Sequence, residues 1–234
     1  MNSLDNWAFF DRIYCISLDG RFDRREEAKK QFAKVGLLDR VEFVVVQKHP
    51  VSPKEGCYQS HIACMRKAIA ADSKHILIFE DDILFKGFRD STIQEGTDFL
   101  KKNTDWDIMF LGCIVRQSRR TTHQSVVKVK YRCLSHAYAI NRRFVEEIVA
   151  TPWQGVPYDV FLARMDRNFY AAYPSFAFQS SAATDNSFCI DLIRRLLGGL
   201  AFIQRANEIF QRYKLPIIAS HFAIIAALLL YFSQ

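Results

Sequence analysis

The chain contains no C-x-x-C pair, so its six cysteines (Cys15, Cys57, Cys64, Cys113, Cys133 and Cys189) lack the spacing of a structural zinc site. Cys15 and Cys113 lie inside apolar runs and read as small core residues. A dense basic block with interleaved aromatics is also missing. The formal charge is +7, but its sources are dispersed: Arg21, Arg24 and Arg25 early, Arg116, Arg119 and Arg120 in the middle, Arg205, Arg212 and Lys214 late. That pattern argues against a nucleic acid partner and favours phosphates or an anionic membrane surface. There is no internal repeat and no low-complexity stretch. The N-terminus carries no basic, apolar and cleavable leader, so the expected setting is cytoplasmic, with reduced thiols.

What is present is enough apolar material for one sizeable core and one appendage: 234 residues, 50% of them hydrophobic. Ile13–Leu18 is a short apolar run and reads as a buried strand. Residues 22–35 place Phe22, Ala28, Phe32 and Val35 at helical spacing before Gly36. Val41–Val46 is a second strand, followed by a loop at His49, Pro50 and Pro53. Gly56–Ala71 is helical, His75–Phe79 a strand, and Asp107–Cys113 another that Gly112 ends. Further on, Val126–Lys130 and His136–Ile140 read as strands. Asn141 is positioned to cap a helix carrying Phe144 and Ile148, and Pro157-Tyr158-Asp159 opens a short helical stretch. Strands alternating with helices predict an α/β fold around a Rossmann-like, mostly parallel sheet, with ligands collecting at the carboxyl ends of its strands.

One such end carries three acids in a row, Glu80-Asp81-Asp82, directly after the apolar run His75–Phe79. Carboxylates that close repel unless a positive charge lies among them. A hard cation with oxygen ligands, Mg²⁺ or Mn²⁺, would supply it, with Asp82 and Glu80 as ligands, and would seat a nucleotide diphosphate. An extended backbone through the triplet would send Glu80 and Asp82 to one side and Asp81 to the other. The plain alternative is three surface acids opening a solvated loop.

The neighbouring segments sharpen this. Ile16-Ser17-Leu18 precedes Asp23-Arg24-Arg25; Gly56-Cys57-Tyr58-Gln59-Ser60-His61 follows; then comes the strand ending in Glu80-Asp81-Asp82. These four motifs, in this order, resemble glycosyltransferase family 25, the group of bacterial lipooligosaccharide and collagen galactosyltransferases. Ala137-Tyr138-Ala139-Ile140 and Pro157-Tyr158-Asp159 extend the likeness, which covers about residues 12–187. The family's terminal Ser-Asp motif is only approximated, by Ala183-Thr184-Asp185-Asn186-Ser187. The resemblance implies a GT-A-like single domain, a nucleotide-sugar donor (commonly UDP-galactose), a glycan or lipid-linked acceptor, and inversion at the anomeric carbon. It implies donor contacts from Arg21, Arg24, Ser60, His61, Glu80 and Asp81, and a base at Asp159 or, second, Asp185. Each also has an ordinary role open to it. The arginines can begin a solvated helix, Ser60 and His61 can cap one, Asp159 can be an N-cap, and Trp153 and Tyr158 can be core rather than a sugar platform.

The transferase-like domain is expected at 1–187. Residues 188–234 form an appendage in which Leu192, Leu196, Leu200, Ile203 and Phe210 mix with Arg194, Arg195, Arg205 and Arg212 in an amphipathic pattern. Leu215–Phe232 is then apolar apart from Pro216, Ser220, His221 and Tyr231, just short of the roughly 20 residues of a spanning helix. Arg212 and Lys214 give it a positive flank, so membrane association through this segment is expected. Two rival functions stay open: a degenerate transferase domain acting as a membrane-bound binding module, and a magnesium-dependent aspartyl-phosphate enzyme.

Overall fold

The computed structural model describes residues 7–180 and 199–232. Its centre is an eight-stranded sheet in the order β2-β1-β3-β8-β5-β9-β7-β6. The strands are β1 (Arg12–Leu18), β2 (Val41–Val46), β3 (His75–Glu80), β5 (Ile108–Phe110), β6 (Ile114–Arg120), β7 (Val126–Cys133), β8 (Ala137–Asn141) and β9 (Phe169–Ala172). The pairings of β1 with β2, β1 with β3 and β5 with β9 are parallel. Those of β8 with β3 and β5, and of β7 with β9 and β6, are antiparallel. All strands therefore share one direction except β7 and β8. A separate two-stranded ribbon pairs β4 (Ile83–Phe85) with β10 (Ala177–Gln179).

The strand sequences explain why this sheet is buried on both sides. Successive side chains of a strand point to opposite faces. In β3, Ile76 and Ile78 enter one apolar cluster and Leu77 and Phe79 the other, all without solvent exposure. In β8, Tyr138 and Ile140 enter the first cluster and Ala137 and Ala139 the second. Helices α2 (Pro53–Ala70), α4 (Arg142–Ala150) and α5 (Tyr158–Arg164) cover the first face; α1 (Phe22–Lys34) and α3 (Asp90–Lys102) cover the second. Near-continuous apolar strands are what such double coverage requires.

Several boundaries differ from the sequence expectation. Helix α2 begins at Pro53 rather than Gly56. Ser52 is its N-cap, accepting from the Glu55 amide at 3.2 Å, with proline in the first turn. Ser60 and His61 therefore sit inside the helix and cap nothing; the Ser60 hydroxyl donates back to the Gly56 carbonyl at 2.7 Å. The run 107–113 is not one strand. β5 ends at Phe110 and β6 begins at Ile114, because the chain turns at Gly112 with its α-carbon pressed against the Ala177 backbone.

The C-terminal helix α6 (Gly199–Phe232) has two halves. The first is fastened by amide side chains: Gln204 donates to the Ala177 carbonyl at 2.9 Å, and Gln211 to that of Arg116 at 3.0 Å. Asn207 both accepts from and donates to the Val115 backbone, at 3.0 and 3.1 Å. Val115 has those groups free because the β6–β7 register shifts there. The helix breaks at Tyr213 (φ −118°, ψ 18°), next to Arg212, whose carbonyl the Pro216 ring would meet and whose hydrogen bond Pro216 cannot make. Beyond it Leu215, Phe222, Leu229 and Phe232 are exposed, and no part of the most apolar 18-residue window, mean hydropathy 2.2, is buried. The boundary drawn at 187/188, and Leu192, Arg194, Arg195 and Leu196 of the amphipathic reading, lie outside the described residues.

A β-carbon at Gly112 would lie 1.8 Å from the Ala177 carbonyl oxygen, and Gln204 closes the remaining side. Gly112→Ala is expected to cost about 2–3 kcal/mol, as overpacking against backbone does. Urea unfolding of the two proteins checks it; equal midpoints would show that the β5–β6 turn opens easily.

Candidate functional site

The site lies where β1 is flanked by β2 on one side and β3 on the other. The crossover through α1 runs one way and that through α2 the other, so the carboxyl ends of β1 and β3 flank a switch point of the topology. A cleft of about 220 Å³ opens there. Its walls include Ser17 of β1, Arg24 of α1, Gly56, Ser60 and His61 of α2, the run Glu80–Asp82, and Gln179 of β10. Lys48 and His49, from the loop after β2, close one side.

Strand β3 stops at Glu80, and Asp81-Asp82 form a turn that redirects the chain into β4. The backbone is thus not extended through the triplet, and the expected split of Asp81 from Asp82 does not occur. Both are buried, at 7% and 5% exposure, and both face Arg24. Asp81 accepts from the Ser17 hydroxyl at 2.7 Å and from Arg24 Nη1 at 3.3 Å. The same Nη1 lies 3.7 Å from Asp82 Oδ2, which also accepts from the Gln179 amide at 2.8 Å. Asp82 is anchored further by its backbone carbonyl, which accepts from the Ser180 amide at 2.7 Å. Arg25, one residue on, donates to Ser17 and to the Leu18 and Asp19 carbonyls, fixing the end of β1. The charge that lets two neighbouring acids stay buried is therefore the chain's own Arg24.

One oxygen escapes this network. Asp82 Oδ1 is buried and has no hydrogen-bond partner among the described residues. Burial pushes the Asp82 carboxyl up to about 7; Glu80 and Asp81 add to the rise, while Arg24 and Gln179 oppose it. Magnesium and manganese are commonly held by one or two carboxylates together with substrate phosphates. Asp82 Oδ1 is a donor of that kind on the cleft wall, so the residues fit such an ion. Among the described residues no three His, Cys, Asp or Glu side chains form a complete cage for a metal. The remaining ligands would have to come from substrate and solvent.

Glu80 has a different environment from Asp82. Its carboxylate is 3.5 Å from both His61 Nε2 and the Ser135 hydroxyl. Burial raises it to about 7, with Asp159 and Asp81 adding to the rise. His61 is stacked on Tyr158, ring centroids 4.1 Å apart, and burial drives its pKa down to about 3. It is neutral, so its approach to Glu80 is not an ion pair. Its Nδ1 is 2.9 Å from the Tyr138 hydroxyl, itself 3.0 Å from that of Tyr158. The chain is satisfied when Tyr158 donates to Tyr138 and Tyr138 to Nδ1, which puts the ring proton on Nε2, buried near Glu80 but without a hydrogen bond among the described residues.

The other expected site residues fall elsewhere. Asp159 is not an N-cap: α5 starts at Tyr158 after Pro157, and the carboxylate accepts from the Tyr131 hydroxyl and from the Leu134 amide at 3.1 Å. Asp159 is not among the residues lining the cleft. Arg21 turns to Asp23, with a forked contact of 2.9 and 3.0 Å at the start of α1. Tyr158 is core, buried against His61, Tyr58 and Phe161. Trp153 is half-buried and donates to the Val156 carbonyl at 3.0 Å. Asp185 lies outside the described residues. Sequence reading missed Ser17 and Gln179, the two neutral donors that hold the acids. Ser17 stood inside a quoted motif, but Gln179 is 97 residues from its partner and carries no local signal.

The fold and cleft define an α/β protein with an acid-lined cleft at the carboxyl ends of parallel strands, where open sheets of this kind collect ligands. The model of glycosyltransferase family 25 (LPS biosynthesis protein) matches residues 45–151. The procollagen galactosyltransferase 2 of Mus musculus is 24% identical over 189 residues, covering 67% of this chain and 30% of that protein. The lipooligosaccharide biosynthesis protein lic2B of Haemophilus influenzae is 24% identical over 165 residues, covering 58% and 62%. An inactive glycosyltransferase 25 family member 3 of Homo sapiens is 25% identical over 129 residues, covering 44% and 22%. Among solved structures, a glycosyltransferase involved in glycosylating the major capsid of PBCV-1 aligns with TM-score 0.40 at 10% identity, covering 68% of this chain and 80% of that one. The chain is thus similar to glycosyltransferase family 25 over part of its length, and it spans between about a fifth and under two thirds of the length of these curated relatives.

The raised Asp82 carboxyl sets a pH dependence. With its folded pKa near 7, against an ordinary value of 3.8, its neutral form is favoured in the fold. Its contribution to stability is full below about pH 4 and is lost as pH rises through 7. Buried His61 and His136 are shifted down and act in the opposite sense, so the comparison must be between variants. In metal-free buffer, Asp82→Asn should melt close to wild type at pH 5 and about 4 °C or more above it at pH 8. Melting curves across that range test it; a gap that does not change with pH would contradict the burial of a charged Asp82.

Proposed function

We propose that the chain transfers a sugar, galactose in the first instance, from a UDP-sugar to a glycan or lipid-linked acceptor, with a divalent cation bound at Asp82. The single observation that carries the reading is Asp82 Oδ1, an unsatisfied buried carboxylate oxygen on a cleft at the carboxyl ends of β1 and β3. Family likeness supplies the reaction class. Mn²⁺ or Mg²⁺ held there would neutralise the diphosphate leaving group.

The protein's own groups divide the remaining work. Arg24 supports the donor side: it balances Asp81 and Asp82 in the resting cleft, and its guanidinium suits a diphosphate. Lys48 and His49 add donors along the same wall. In the transfer, the acceptor oxygen attacks the anomeric carbon as the carbon–oxygen bond to the diphosphate breaks, and UDP departs. The acceptor proton needs a base on the cleft wall. Glu80 fits this role better than Asp159, because Asp159 has both oxygens engaged by Tyr131 and Leu134. A carboxyl near 7 is well matched to proton abstraction at neutral pH, and neutral His61 lies 3.5 Å from it. We extend the reading to location: the exposed apolar half of α6 associates with the cytoplasmic face of a membrane, where a lipid-linked acceptor would be found.

A second reading has one observation behind it. Arg24 already compensates the acid pair, so the cleft is stable without a cation, as a binding module that has lost transfer would require.

UDP release from UDP-galactose, with and without Mn²⁺, separates the two. Metal-dependent release from wild type is expected. Glu80→Gln should lower kcat at least about 100-fold with little change in metal-dependent donor binding. Asp82→Ala should abolish that binding in a folded protein. Asp159→Asn should lower the melting temperature more than the rate. A wild-type protein that binds UDP-galactose and releases no UDP would establish the binding-module reading. Full activity in Asp82→Ala would end the assignment of the metal.

A further inference from the structure

A second cleft, larger than the acid-lined one, lies away from Asp82. A cavity of about 400 Å³ lies where α6 leaves the body of the protein, between that helix and the outer strands β6, β7 and β9. Its inner wall is apolar and belongs to the sheet: Val115, Val127, Val129 and Ala171. Leu215 and Pro216 close it from the helix side. Its rim is cationic, formed by Arg120 at the end of β6 and by Arg212 and Lys214 on α6.

The charges at this rim are not used up by the fold. Arg120 and Lys214 have no ion-pair partner among the described residues. Arg212 lies over the Tyr173 ring, 5.0 Å from its centroid, a contact that leaves the guanidinium edge available. The one acid on the cleft wall, Glu208, is already held: it accepts from the Ser175 amide at 2.8 Å and pairs with Arg205 at 2.5 Å. The rim therefore presents a net positive edge to whatever enters.

The position of the cleft says what that is. The helix break at Tyr213 and the proline at 216 lie at its mouth, and from Leu215 onward the helix turns bare apolar side chains outward. If that half enters a bilayer, Arg212 and Lys214 come to the level of lipid headgroups, with the cavity opening beside them. An apolar slot with a cationic rim at that depth is complementary to one kind of molecule, an amphiphile with an anionic head and a hydrocarbon chain. We propose that this cleft binds a single anionic phospholipid, its phosphate on Arg212, Lys214 and Arg120 and the start of its chain against Val115, Val127 and Val129. The site does not depend on sugar transfer and is distinct from the acid-lined cleft at the ends of β1 and β3, with which it shares no lining residue.

The test uses the full chain in a neutral detergent, titrated calorimetrically with dihexanoyl phosphatidic acid below its micelle concentration. Parallel titrations use dihexanoyl phosphatidylcholine and inorganic phosphate. One molar equivalent of phosphatidic acid is expected to bind, at least tenfold more tightly than either comparison ligand. The double substitution Arg212→Gln and Lys214→Gln should weaken it tenfold or more. Ser118→Trp, which projects bulk into the cleft from an edge strand, should weaken it without removing a charge. Both proteins should keep the wild-type melting temperature within a few degrees, which reports that α6 is still docked. Equal binding of inorganic phosphate would overturn the proposal by reducing the site to an anion site. Undiminished binding by folded variants, or no saturable binding by wild type, would overturn it as well. UDP-galactose binding at the other cleft, measured on the same samples, is expected to be unchanged in both variants, so the fate of the donor site is read separately.

Discussion

The arrangement of the cleft depends on one guanidinium. Arg24 reaches from the first turns of α1 to the turn after β3 and lies within 3.3 Å of Asp81 and 3.7 Å of Asp82. Two adjacent carboxylates at 7% and 5% exposure would otherwise repel one another in a medium that screens poorly. Ser17 and Gln179 complete the compensation with neutral donors, one from the neighbouring strand and one from the far end of the domain. That set of contacts ties β1, α1, β3 and β10 together at the topological switch point. The same residues line the cleft.

The compensation is incomplete by one oxygen, and the shortfall is informative. A fold that only needed to bury Asp82 could have paired both of its oxygens or replaced it with asparagine. Leaving Oδ1 unsatisfied costs stability, the usual signature of a position shaped for a ligand. Glu80, one turn of chain away, is treated differently. It faces a neutral histidine whose proton is set by a relay through Tyr138 and Tyr158. Two neighbouring carboxyls are thus given separate environments, the condition under which they can serve separate chemical roles.

Much of this was legible in the sequence where the signal was local. The runs Ile13–Leu18 and His75–Phe79 were readable as strands because continuous apolar residues covered on both faces leave no other reading. The acidic triplet stands out because nothing in a strand's packing calls for three acids at its end, and all three line one cleft. What escaped were features set by distant partners. The turn at Asp81-Asp82 exists because β4 must leave the sheet to pair with β10, nearly 100 residues later. The start of α2 lies earlier than its helical periodicity suggests, because Pro53 reads locally as loop while Ser52 and Glu55 supply the cap. The edge strand β6 was not seen at all: its Arg116, Arg119 and Arg120 interrupt any apolar alternation, and they do so because an edge is kept soluble by charge. The partners of Asp159 were equally out of reach of sequence reading, since Tyr131 and Leu134 reach it from β7 and the turn that follows.

The central claim is that Asp82 holds a cation jointly with a nucleotide diphosphate. Manganese electron paramagnetic resonance on the full chain addresses it most directly, by counting free Mn²⁺ in the presence and absence of UDP. The account predicts weak retention of Mn²⁺ by the protein alone, strong retention when UDP is added, and loss of that gain in Asp82→Asn. Retention by the variant equal to wild type, or none by wild type with UDP present, would contradict it.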